Sequence, residues 1–222
     1  MRKAIIAPGE YYHIFNRGNN RQAIFFNNND RARFLISALL FQSPLVIKNI
    51  DRLSKISVQN LILHNKEMVN EIISTRFIEL NCFALMPNHF HLIVRENKEG
   101  GVAKYLQRLQ IAYTRYFNTK NDKIGHHFQG HYKAVRVEDN NQLLYLSTYI
   151  HRNPREMKEW KGKEILYPWS SFHDYAYSNR WSGLLKPDII LEQFTKQEEY
   201  TQFTNRSYAK TIRDINSDML FD

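Results

Sequence analysis

Residues 76–86 and 89–96 are two runs of strand length, mostly apolar, with only Pro87 and Asn88 between them. A connection that short leaves no room for a crossover, so the runs are expected to pair antiparallel as a hairpin. Leu92, Ile93 and Val94 are all apolar, which suits a central strand covered on both faces. The return strand begins His89-Phe90-His91. Strand side chains alternate between faces, so the two imidazoles point the same way from a rigid element. That geometry offers a pair of divalent-metal ligands.

The rest of the chain supplies partners for such a hairpin. Residues 10–18 are rich in aromatic and β-branched side chains and close on Gly18, as a first strand does. Asp30 is placed to cap a helix that buries Phe34, Leu35, Ala38 and Leu39 and stops at Ser43-Pro44. Residues 44–75 hold short pieces of helical character and read as an insertion. After the hairpin, Gly100-Gly101 opens a long helix over about 102–118, with Val102, Tyr105, Leu106, Leu109 and Tyr113 on its buried stripe. Residues 132–138 form a fourth strand. Asp139 or Asn140 then caps a further helix through Leu143, Leu146 and Ile150, stopped by Asn153-Pro154. Strand, helix, strand, strand, helix, strand is the split βαβ order. The expectation is therefore an α+β, ferredoxin-like fold (βαββαβ) with an antiparallel sheet and an extra helix. Residues 1–154 form one domain, with 44–75 as its insertion, and 155–222 a C-terminal appendage packing on the core.

The net charge of +9 is unevenly spread. Residues 1–180 carry 26 basic and 15 acidic side chains, and residues 181–222 carry five and seven. A positive body rather than a positive tail, with 14% aromatic residues, points to a polyanionic partner such as nucleic acid. The single cysteine, Cys82, excludes an internal disulfide and suits a reducing, cytoplasmic compartment. It stands in an apolar run and reads as a core residue. The N-terminal apolar stretch is too short for a signal peptide, and no window reaches the length of a membrane span.

A second polar stretch bears on the histidine pair. Residues four apart share a helix face, so Tyr145, Tyr149 and Asn153 form one stripe, while Leu143, Leu146 and Ile150 form an apolar one. Asn153 offers a neutral oxygen. Two imidazoles with such an oxygen leave coordination positions open, a set that suits Mn²⁺ and accepts Mg²⁺ when phosphate oxygens complete the shell. It is a poor match for a closed structural zinc site, which normally uses cysteines. A tyrosine beside such a metal has a specific use. Its phenolate can attack a phosphodiester, keeping the bond energy in a phosphotyrosyl link and releasing a 3′-hydroxyl. An ordinary tyrosine pKa of about 10 means that its deprotonation needs the help of a cation.

The stretches Met86-Pro87-Asn88-His89-Phe90-His91-Leu92, 130–138, Tyr149-Ile150-His151-Arg152-Asn153-Pro154 and Tyr167-Pro168-Trp169-Ser170-Ser171-Phe172 resemble those of REP-associated tyrosine transposases. These belong to the IS200-like class of single-strand DNA transposases with an HUH motif (His, bulky apolar, His). The resemblance runs over nearly the whole chain, and the two main motifs are more specific together than alone. It implies His89 and His91 as metal ligands, Asn153 as the third ligand, Tyr149 as the nucleophile, and Mg²⁺ or Mn²⁺ as the cofactor. The implied reaction is cleavage and rejoining of single-stranded DNA at hairpin-forming repeats (REP-like palindromes) through a 5′-phosphotyrosyl intermediate, by a monomer or a homodimer. The family fold is the ferredoxin-like one reached above. The length of 44–75 departs from the family pattern and leaves open how this chain approaches a hairpin.

Two other readings stay open on the sequence. One is a hairpin- or sequence-specific nucleic-acid-binding protein without transposition activity. The other is a metal nuclease that uses activated water, with Tyr149 structural. Tyr113 and Tyr116 lie on an apolar stripe and are expected in the core, and Tyr145 is a candidate helper. His126, His127 and His131 are expected to be solvated or to contact phosphate, and His151 to be structural. Arg17, Arg21, Arg108, Arg115, Lys133 and Arg136 are the candidate phosphate contacts, with Phe128 expected to stack on an unpaired base.

Overall fold

The structure, a computed structural model, describes residues 6–207. Residues 1–5 and the last part of the expected appendage, 208–222, lie outside the described residues. Strand β1 (Tyr11–Arg17) is followed by helix α1 (Asn28–Leu40). Helices α2 (Ile50–Leu53), α3 (Val58–His64) and α4 (Lys66–Thr75) fill the long stretch before the hairpin of β2 (Ile78–Met86) and β3 (His89–Glu96). Helix α5 (Gly101–Asn121), strand β4 (Lys133–Arg136) and helix α6 (Asn140–Arg152) come next. The short helices α7 (Phe172–Ala176), α8 (Asp188–Leu191) and α9 (Gln197–Arg206) follow. The strands lie in the order β2-β3-β1-β4, each antiparallel to its neighbour. This is the ferredoxin-like arrangement that the element order predicts, with β1 and β3 central.

Both faces of the sheet are covered. On one, Ile14 of β1 and Phe90, Leu92 and Val94 of β3 pack against Phe34 and Leu39 of α1 and Tyr105, Leu109 and Tyr113 of α5. On the other, Cys82, Ala84 and Ile93 pack under Leu146, Tyr149 and Ile150 of α6, together with Phe172, Tyr175, Ile190 and Tyr200 from the C-terminal segment. Two cores, one on each side, are the reason β3 is apolar at consecutive positions. The backbone at 169–171 runs along the outer edge of β2, with Leu85 N–H donating to Trp169 O at 2.9 Å and Ser171 N–H to Phe83 O at 3.0 Å. That contact covers a strand edge that would otherwise invite pairing with another chain. Among the described residues no helix is long and apolar enough to cross a membrane.

Helix α1 starts earlier than expected. Asn27, not Asp30, is its cap: the Asn27 side chain accepts the Asp30 N–H at 3.2 Å, and Asp30 Oδ2 accepts the Asn27 N–H at 3.3 Å. The reciprocal pair satisfies donors that a helix start leaves open. Asp30 is buried, accepts from the Tyr116 hydroxyl at 2.9 Å and pairs with Lys120, and so ties α1 to α5. Helix α6 begins at Asp139, whose carboxylate accepts the Gln142 N–H at 2.8 Å.

Candidate active site

The Pro87-Asn88 turn makes His89 the first residue of β3 and sets it opposite Arg17 of β1, with His91 opposite Phe15. Gly18 closes β1 against this turn, its N–H donating to Asn88 O at 2.9 Å. No side chain fits there, because a Cβ on Gly18 would lie 2.1 Å from Gln22 O. The chain then turns back through Asn20 and Arg21, both left-handed at φ 51° and 58°. For Arg21 that conformation costs about 1 kcal/mol or more. It carries the residue to the cleft beside the histidines, where Arg21 O accepts from Asn88 Nδ2 at 3.2 Å.

The rings of His89 and His91 stand 5.0 Å apart and nearly perpendicular, at 85°. Asn88 Oδ1 lies 2.7 Å from His89 Nδ1. An amide oxygen only accepts, so Nδ1 carries the proton and Nε2 the lone pair. His91 Nδ1 is engaged by His13 Nε2 at 2.8 Å. Coordination of an external ligand by either ring would therefore use Nε2. An imidazole held from behind by a second polar group is the arrangement metal-binding histidines use.

Helix α6 of the same chain packs against β2 and β3. Tyr149 meets His91 edge-on with centroids 5.7 Å apart, and His13 at 6.4 Å. Its side chain is only 3% exposed. One turn later Asn153 is fully buried, with Nδ2 donating to Tyr149 O at 3.0 Å. Its Oδ1 has no hydrogen-bond partner among the described residues. A buried acceptor left in that state costs roughly 1–3 kcal/mol, which a cation would relieve. Among the described residues no three His, Cys, Asp or Glu side chains are grouped so as to hold a metal ion. Two imidazole nitrogens and one amide oxygen fit Mg²⁺ or Mn²⁺ with positions open for phosphate.

The histidines open on a cleft of about 490 Å³. Arg17, Arg21, Lys133 and His131 bring positive charge or donors to it, and Glu156 one carboxylate. Arg17 Nε donates to Gln129 Oε1 at 2.8 Å, and Lys133 Nζ sits 5.7 Å from the centre of the Phe15 ring. The structure thus brings together three of the six expected phosphate contacts. Arg108 lies on α5, across the sheet, and its guanidinium donates to the carbonyls of Ser43 and Leu45, the latter at 2.7 Å. Burial lowers its pKa. Arg136 pairs with Glu10 at 2.9 Å, and Arg115 is exposed on α5; neither lines this cleft.

Other residues also fall differently from expectation. Phe128 is not an open stacking ring; it is buried, edge-on to Phe90 at 5.9 Å. Tyr145 is 40% exposed and faces Phe203 of α9 at 5.7 Å, away from the histidines. His127 packs on Phe117 at 3.8 Å, so of its trio only His131 reaches the cleft. Tyr113, by contrast, is core as expected, its hydroxyl donating to Ile24 O at 2.6 Å. His13, Asn88, Gln129 and Glu156 join the site without having been expected there. Strand alternation does put His13 on the face of Phe15 and Arg17, but only the sheet order shows that this face meets His91.

Helix α6 carries a buried histidine of its own. His151 is fully buried, with Nε2 2.8 Å from Ser171 Oγ and 3.2 Å from Cys82 Sγ. Its Nδ1 is 2.6 Å from the Tyr200 hydroxyl, which donates to Ser147 Oγ at 3.1 Å. Burial pulls the His151 pKa down to about 3 and pushes the Cys82 thiol far up. Both ring nitrogens are used inside the protein, and the network pins α6 to β2, to the 169–171 segment and to α9.

A family model described as an IS200-like transposase matches residues 8–153, a span that includes both histidines of the pair, Tyr149 and Asn153. No curated protein matches the chain. Among solved structures, a REP-associated tyrosine transposase bound to a REP hairpin is similar with a TM-score of 0.54, over 82% of this chain and 91% of that one, at 14% identity. At that identity the likeness is one of fold. With the family model spanning the hairpin and α6 alike, the chain belongs to the IS200-like transposases.

Proposed function

We propose that this transposase cleaves and rejoins single-stranded DNA at hairpin-forming repeats through Tyr149. The observation that carries the reading is the edge-on packing of Tyr149 on His91 within one chain, 5.7 Å between centroids. Tyr149 Oη attacks the phosphorus and the P–O3′ bond breaks. The 5′-phosphate stays on the tyrosine, and the departing 3′ oxygen takes up a proton. A 3′-hydroxyl from another strand end then attacks the phosphotyrosine, restores a phosphodiester and releases the tyrosine. The bond energy is retained throughout, so rejoining needs no nucleotide cofactor. His89, His91 and Asn153 would hold a divalent ion, which when bound polarises the scissile phosphate and favours the phenolate. Arg17, Arg21 and Lys133 take neighbouring backbone phosphates. The similar transposase of known structure is bound to a REP hairpin, and that substrate class is extended here to this chain. A site assembled within one chain supports a monomer as the working unit.

The test uses single-stranded oligonucleotides carrying the inverted repeats that flank the gene, with Mg²⁺ or Mn²⁺. Wild type forms a covalent adduct that survives denaturation. Tyr149→Phe loses it by roughly 10³-fold or more while still binding the hairpin. Cleavage that persists in Tyr149→Phe would mean a water nucleophile and would break the reading. The 3% exposure of Tyr149 favours a second reading, a hairpin-binding protein that does not cut. Wild type that binds the hairpins and cleaves none of them would establish that one.

A further inference from the structure

We infer that His13 is the positioning residue of the metal site: it fixes the ring and the tautomer through which His91 takes a divalent cation. The inference rests on the metal-site reading above.

His13 is fully buried in the middle of β1, between Ile93 of β3 and Val135 of β4. A polar ring in that surrounding is costly to bury unless its nitrogens are satisfied. Its Nε2 reaches His91 Nδ1 at 2.8 Å, with the ring planes within 22° and the centroids 5.0 Å apart. This is an in-line hydrogen bond between two imidazoles, and one proton lies between the two nitrogens. If His13 holds it, His91 carries its own proton on Nε2 and offers no lone pair to a cation. If His91 Nδ1 holds it, Nε2 carries the lone pair. A cation on His91 therefore requires His13 to accept, and an acceptor at that nitrogen makes His91 the stronger donor. His13 does not line the cleft, so it acts through His91 and not as a ligand.

The two histidines of the pair are thus supported differently. His89 leans on Asn88, its own chain neighbour in the turn, at 2.7 Å. His91 leans on a residue 78 positions earlier, so its orientation depends on β1 being paired correctly with β3.

The experiment is a titration of the full-length chain with Mn²⁺, following free Mn²⁺ by electron paramagnetic resonance, with thermal melts to confirm folding. His13→Leu removes the acceptor and is expected to weaken Mn²⁺ binding by about 10–100-fold. His13→Gln places an accepting amide oxygen near the position of Nε2 and is expected to bind close to wild type. If His13→Leu does not fold, His13→Met takes its place. In adduct assays the Leu or Met variant is expected to regain its rate at high Mn²⁺, a defect in metal affinity and not in the bound enzyme. A folded Leu or Met variant that binds Mn²⁺ as tightly as wild type overturns the inference, and so does a Gln variant as weak as Leu. His91→Ala and Asn153→Ala separate the two levels. If they bind Mn²⁺ as wild type does, the metal site itself is misplaced and both readings fall. If they lose binding while His13→Leu keeps it, only the role of His13 falls.

Discussion

His91 of β3 and His151 of helix α6 are both buried, with exposures of 1% and 0%. Burial does not distinguish them; the use of their nitrogens does. His151 spends both on side chains of this chain, Ser171 with Cys82 on one nitrogen and Tyr200 on the other. His91 is held by His13 through Nδ1 while its ring lines an open cleft with Arg17, Arg21 and Lys133 nearby. One histidine fastens a helix; the other is fastened at the wall of a cleft. A buried histidine is therefore best assigned by asking what each of its nitrogens is held by.

The contrast can be broken most directly by exchanging the two losses. His91→Ala is expected to lower adduct formation by about 10²–10³-fold, as removal of an electrostatic stabiliser does, with only a small change in the urea midpoint. His151→Ala is expected to lower stability by about 3 kcal/mol, because it empties a packed site and strands Tyr200, Ser171 and Cys82. Its adduct yield should then follow the folded fraction. A His151→Ala protein of wild-type stability that no longer cleaves would place His151 in the chemistry and erase the distinction.

A smaller effect lies in the acid range. An unfolded His151 takes its proton near pH 6.5, whereas burial holds the folded ring to about 3. Between these values the unfolded state binds more protons, so stability falls as the pH is lowered through that window. From this one group the fall is at most about 1.4 kcal/mol per pH unit. Urea midpoints measured from pH 7 to 5 should show it, and His151→Gln should remove that share of the slope. An unchanged slope in His151→Gln would mean that the ring is not the group responsible. The smallest effect concerns the cations. Arg17→Ala and Lys133→Ala should each weaken hairpin binding and reduce the salt dependence of its logarithm by about one unit, read by fluorescence anisotropy. Arg108→Ala should leave that slope alone and cost stability instead, since its donors serve Ser43 and Leu45.

The split βαβ order and the meeting of α6 with the hairpin were legible in the sequence, because period-2 and helical patterns are local and Pro87-Asn88 permits one connection only. The divided motif told which two stretches belong to one site. What remained hidden is non-local. Asn27 and Asp30 compete for one helix start, and only the closed capping box shows that Asn27 is the cap. Arg108 resembles any surface cation until the loop at 43–45 folds under it. Phe128 looks exposed in a Gly- and His-rich stretch, yet Gly18 and Phe128 bridge as strand neighbours and draw its ring into the core. His13 carries no motif of its own; its meaning comes from the register of two strands far apart in the chain.

The anchor of His151 also has a consequence in time. Tyr200 stands 49 residues downstream of it. A chain leaves the ribosome from its N-terminus, and long-range contacts form only when both partners have emerged. The hairpin and the tyrosine helix are thus synthesised well before the residue that seats the helix. In a growing chain the contact between His151 and Tyr200 therefore closes only after the hairpin and α6 have both been made.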